Sequence, residues 1–94
     1  MNFEWDDNKR MMNLEKHGLD FFDAHELWDS PMLVADDQRY HYGENRFIAL
    51  GLLKNHVVVC AYTIRENETI RVISFRKANS REVKHYEKII KESR

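Results

Sequence analysis

The chain has 94 residues, 43% of them hydrophobic and 33% charged, with a formal net charge of −1. That is the composition of one folded domain with a modest core, and it excludes a disordered chain. It also excludes a membrane-spanning helix, because no apolar run approaches roughly 18 residues, and a disulfide framework, because Cys60 is the single cysteine.

The opening, MNFEWDDNKR, is acidic and aromatic, the opposite of a signal peptide, so a cytoplasmic protein is expected. "FEW" reads as a short strand. Asp6 or Asp7 then caps a helix running to His17, with Gly18 as its left-handed stop. Asp20 caps a second helix whose Phe21, Ala24, Leu27 and Trp28 face the core. Pro31 ends this region, and the pattern changes to period two. "MLVADD", "RFIALGLL", "HVVVCAYTIR" and "TIRVISFRK" read as four strands, with tight turns at Lys54-Asn55 and at 66–68. Cys60 falls inside an apolar strand, where an inert buried thiol is expected. A last helix starts at Asn79 or Ser80, with Val83, Tyr86, Ile89 and Ile90 on its apolar face. Short turns between sequential strands predict antiparallel pairing. The fold class is therefore α+β: an antiparallel sheet packed against two N-terminal helices and a C-terminal helix, one domain over 1–94.

Charge is unevenly divided. Residues 1–44 hold eleven acids and four bases, net −7; residues 45–94 hold eleven bases and five acids, net +6. Either the protein has a basic face or the halves neutralise one another across the fold. The motif inventory is short. There is no Gly-rich phosphate loop, no CxxC, HExxH or HxH, and no nucleophile elbow. Five histidines at 17, 25, 41, 56 and 85 lack ligand spacing, so neither a metal nor another cofactor is expected. What remains is cations with a few carboxylates and histidines, an inventory suited to an anionic ligand. They concentrate at "RVISFRKANSREVKHYE". In an ideal strand Val72, Ser74 and Arg76 share one face, and Arg71, Ile73, Phe75 and Lys77 the other. Ile73 and Phe75 should meet the helices, leaving Arg76 on the open face. Arg71 would join it only if a bulge or a strand end turned one of the two around. Glu82 has two readings, general base or partner of Asn79 in a capping box. His17 and Lys16 sit where cations favour a helix C-terminus. Glu44 and Arg46 stand two apart, and Tyr40, His41 and Tyr42 could stack on bases or cover an edge strand.

Three segments carry a family resemblance that spans most of the chain. "FEWDDNKRMMNLEKHGLDFFDAHELW", "GENRFIALG" and "IRVISFRKANSREVKHYE" resemble, in order, the opening, middle and closing motifs of the BrnT toxins. Phe75 departs from the pattern, which has a small residue there. The resemblance implies a RelE-like fold and a ribonuclease toxin of a type II toxin–antitoxin pair, blocking translation by metal-independent RNA cleavage. It implies a BrnA-type antitoxin as partner, RNA as substrate, and operator DNA reached only through the antitoxin, with no membrane. Carried onto this chain, Arg76, Arg46, Arg71, His17 and Glu82 are the catalytic candidates, and Lys16, Lys77 and Arg81 the RNA contacts. The alternative is a non-catalytic binding module or co-repressor.

Overall fold

The computed structural model describes residues 1–39, 41 and 43–93. Strand β1 (Phe3–Glu4) leads to helix α1 (Asp7–His17) and a 3-10 helix (Phe21–Asp29). Strands β2 (Leu33–Asp36), β3 (Arg46–Leu53), β4 (His56–Arg65) and β5 (Thr69–Lys77) follow, then helix α2 (Ser80–Glu92). Local chemistry sets these limits. Asp6 caps α1, its carboxylate accepting the N–H groups of Asn8 at 2.9 Å and Lys9 at 3.1 Å. Gly18 stops α1 at φ 72°, a left-handed conformation that costs a glycine little, and its N–H donates to the Leu14 carbonyl. The second helix is not α. Phe21, Ala24 and Leu27, all buried, recur every third residue. A 3-10 helix has three residues per turn and stacks such side chains in one row.

The five strands are ordered β1-β5-β4-β3-β2. The expectation of a wholly antiparallel sheet fails at one edge. There β1 runs parallel to β5, with Phe3 beside Ile70 and Glu4 beside Arg71; the other pairs are antiparallel. Both short edge strands leave backbone unpaired, and side chains complete the ladders. At β5 the buried Asn13 side chain of α1 accepts the Phe75 N–H at 3.1 Å and donates to the Phe75 carbonyl at 2.7 Å. On β3 the Leu52 N–H donates to Ser30 Oγ at 3.0 Å.

Helices lie on both faces of the sheet. One face presents Ala49, Leu53, Val58, Cys60, Tyr62, Ile70, Val72 and Phe75, all buried in the main core with Phe21, Ala24 and Leu27. The 3-10 helix and α1 cover this face. Gly51 allows the close approach, since a Cβ there would meet Leu27 Cγ at 3.0 Å and Ser30 Oγ at 3.1 Å. Cys60 is fully buried, and loss of water pushes its thiol up to about 12. The opposite face carries α2, which sets Val83, Tyr86 and Ile90 beside Leu52 and Val57. The Tyr86 hydroxyl donates to the Pro31 carbonyl at 2.6 Å.

Candidate functional site

The register of β5 decides which cations meet. Tyr62 pairs with Val72 but Ala61 pairs with Ser74, so Ile73 is an extra residue, a β-bulge. The alternation slips by one there. Ile70 and Val72 before the bulge, and Phe75 after it, are all buried on the core face. Ile73, expected in the core, is only half-buried. The correction matters for the arginines: Arg71 and Arg76, which ideal alternation sends to opposite faces, lie on the same face. Arg46 joins them. Its register partner is Thr63, whose other partner is Arg71, whose outer neighbour is Glu4. This row crosses the sheet, and with strands about 4.8 Å apart the Cα atoms of Arg46 and Arg71 are about 10 Å from each other. Thr63 between them is buried and donates to the Asn45 carbonyl at 2.6 Å.

Each of these arginines has a carboxylate partner. Arg71 Nη1 donates to Glu4 at 3.2 Å, and Arg46 Nε to Glu44 at 3.3 Å. Arg76 makes the two-point pair: Nη1 and Nη2 donate to the two oxygens of Glu82, each at 2.9 Å. Glu82 also closes a full capping box, accepting the Asn79 N–H at 2.9 Å while Asn79 Oδ1 accepts the Glu82 N–H at 2.8 Å. The Arg76 hydrogen bonds hold the Glu82 carboxyl below its ordinary value, and Glu82 in return raises Arg76. A second cation, Arg39, stands close enough to oppose that rise. Arg39 forks onto Asp37 through Nε at 2.9 Å and Nη2 at 3.1 Å. Sequence reasoning missed Arg39, because residues 30–42 carry no motif and nothing in "DDQR" marks which charge turns toward β5.

The remaining candidates are dispersed over both faces and the edge of the sheet. His17 and Lys16, at the end of α1, line a hollow of about 580 Å³ with Ile73 and Ser74 beside the bulge. Lys77 sits at the end of β5 in register with Val58, on the other face from Arg76. Arg81 is exposed in the first turn of α2. His41 lines a polar hollow with Glu44 and Arg46; Tyr40 and Tyr42 lie outside the described residues. A mainly apolar groove of about 720 Å³ lies elsewhere, between α2 and the β3–β4 turn. It contains none of the arginines. Among the described residues no three His, Cys, Asp or Glu side chains gather into a metal-binding group. The chemistry on offer is three carboxylate-paired guanidiniums on one sheet face and, at the end of α1, an imidazole and an ammonium beside Ser74; guanidinium forks suit phosphate oxygens.

The family model described as "Ribonuclease toxin, BrnT, of type II toxin-antitoxin system" matches residues 5–82, a span that includes Arg46, Arg71, Arg76 and, at its end, Glu82. Among solved structures the chain is similar to the 1.1 Å crystal structure of the Brucella abortus ribonuclease toxin BrnT. Identity is 30%, the alignment covers 85% of this chain and 99% of that one, and the TM-score is 0.70. No curated protein sequence matches.

Proposed function

The chain belongs to the BrnT family of ribonuclease toxins of type II toxin–antitoxin systems, and from that premise we propose that it arrests translation by cleaving RNA without a metal ion. The observation that carries the reading is the bulge at Ile73, which collects Arg46, Arg71 and Arg76 on one sheet face. In metal-free cleavage the ribose 2′-hydroxyl attacks the adjacent phosphorus. A base accepts its proton, an acid protonates the departing 5′-oxygen, and fixed positive charge stabilises the phosphorane-like transition state. Arg76, with Arg46 and Arg71, supplies that charge, because guanidinium does not deprotonate. His17 or Lys16, beside Ser74, handles the protons. Glu82 is a poor base, since both its oxygens already accept hydrogen bonds from Arg76 and Asn79. Lys16 and Arg81 extend the contact along the RNA backbone, and Lys77 takes it around the end of β5. The RelE-like grouping of the fold belongs to the same reading. The protein antitoxin that type II membership implies is a BrnA-type protein, which alone contacts operator DNA.

Purified protein incubated with RNA in EDTA tests this. Fragments ending in a 2′,3′-cyclic phosphate are expected, and Arg76→Ala should reduce their rate by about 10²–10³-fold while the protein stays folded. Cleavage lost in EDTA and restored by Mg²⁺ or Zn²⁺ would overturn metal independence. RNA bound but left intact would favour a non-catalytic module. A folded Arg76→Ala protein with full activity would show that the site is misplaced.

A further inference from the structure

Arg76 is held from one end only. Nη1 donates to Glu82 Oε1 and, at 3.2 Å, to the Lys77 carbonyl; Nη2 donates to Glu82 Oε2. A guanidinium has five N–H donors in a fixed plane, and three are thereby used. The other two, Nε–H and the second Nη2–H, have no partner among the described residues. They leave the same edge of the plane in parallel, the spacing that takes two oxygens of one phosphate. The other forked arginines differ. Arg10 uses that Nε–Nη2 edge on Asp20, and Arg39 uses it on Asp37. Glu82, for its part, is fixed by the cap of α2 through Asn79. Helix cap, carboxylate and guanidinium thus form one connected set of charge-assisted bonds, anchored at both the helix and the strand. The Arg76 side chain as a whole remains 38% exposed.

We infer that Glu82 is a positioning residue: by gripping Arg76 end-on, it presents the Nε–Nη2 edge to two non-bridging oxygens of an RNA phosphodiester. This rests on the RNA-cleaving reading and names the phosphate-binding edge of that same site. It also assigns the Asn79 capping box a second consequence, since the cap that starts α2 sets the angle of the guanidinium on β5.

The discriminating variant is Glu82→Gln. Its carbonyl oxygen still accepts the Asn79 N–H, but its NH2 group opposes Arg76 Nη2 and the two-point pair is lost. Single-turnover cleavage of a defined RNA should fall roughly tenfold or more, as expected for a misaligned charge-stabilising group. Binding of an uncleavable 2′-O-methyl copy should weaken with it, while the thermal midpoint changes little. Arg76→Lys, which keeps the charge and removes the fork, should fall to a similar extent. In an Arg76→Ala background, Glu82→Gln should add less than about twofold, because the residue acts through Arg76. The acid limb of the pH–rate profile should keep its shape in Glu82→Gln, which it would not if Glu82 were the base. Wild-type cleavage by Glu82→Gln or by Arg76→Lys, or equal effects of Glu82→Gln in both backgrounds, would overturn the inference. Full activity in Arg76→Ala alone would instead sink the assignment of the site.

Discussion

Asp20 joins two helices through one carboxylate. It accepts the Phe22 N–H at 3.0 Å, capping the 3-10 helix, and takes a fork from Arg10 of α1 at 2.7 and 2.9 Å. Chiefly through the Arg10 hydrogen bonds, its acidity moves from an ordinary 3.8 to about 2. A carboxyl whose folded value is depressed stabilises the protein above its unfolded value and loses that contribution as pH falls through the folded one. For Asp20 the window runs from about pH 4 down to about pH 2. Asp20→Asn keeps the capping oxygen and removes the charge. Thermal midpoints measured from pH 6 to pH 2 should therefore converge for wild type and variant at the acid end, with the variant lower above pH 4. Curves that stay parallel would mean that this pair, partly exposed as it is, adds nothing to stability. At this scale the sequence was half legible. Asp20 could be read as a cap from its place before Phe21, but the fork from Arg10 required the fold, because ten residues and a turn separate the two.

Strands β3, β4 and β5 were legible almost to the residue, because alternation over eight to ten residues bounded by turn chemistry leaves little choice. Lys54 and Asn55, at φ 49° and 69°, form the two-residue turn that short spacing demands. The bulge was not legible. A bulge at Ile73 has no glycine and no marker; "RVISFR" alternates well enough to look regular, and the slip shows only when β4 is laid beside it. Strand β1 was read from "FEW", but its parallel pairing with β5 was not, since two residues carry no period that fixes a partner. What these hidden features share is backbone left over at the sheet edges. Asn13 is the cleanest test. Its amide satisfies both backbone groups of Phe75, which is fully buried. Asn13→Ala strands a buried donor and a buried acceptor, each costing about 1–3 kcal/mol, so a loss of about 3 kcal/mol is expected in urea denaturation. A loss below about 1 kcal/mol would show that water reaches the β5 edge. Because the same edge carries Ile73 and Ser74, the variant should also lower RNA cleavage at temperatures where it remains folded.

Across the whole molecule, the acidic first half and basic second half could have cancelled. The ion pairs argue otherwise. Among the described residues Arg10–Asp20 and Arg39–Asp37 lie within the first half and Arg76–Glu82 within the second, while Arg46–Glu44 and Arg71–Glu4 join the halves. Two such contacts among the described residues offset only part of the −7 and +6. The basic end of β5 and α2, with Lys77, Arg81, Lys84, Lys88 and Lys91 exposed, should draw an acidic segment of the antitoxin to the surface that RNA would otherwise occupy. Steering between opposite charges speeds capture, and it is screened over roughly 8 Å at physiological salt. Release depends on contacts already made and desolvated, so it should respond less. Stopped-flow mixing with the cognate antitoxin, from about 50 to about 500 mM NaCl, should show an association rate that falls steeply while the dissociation rate changes by a few-fold at most. The acidic N-terminal half supplies the competing outcome. If it shields these lysines through the field rather than through contacts, association will be flat across the range, and the antitoxin must find its partner by apolar contact alone.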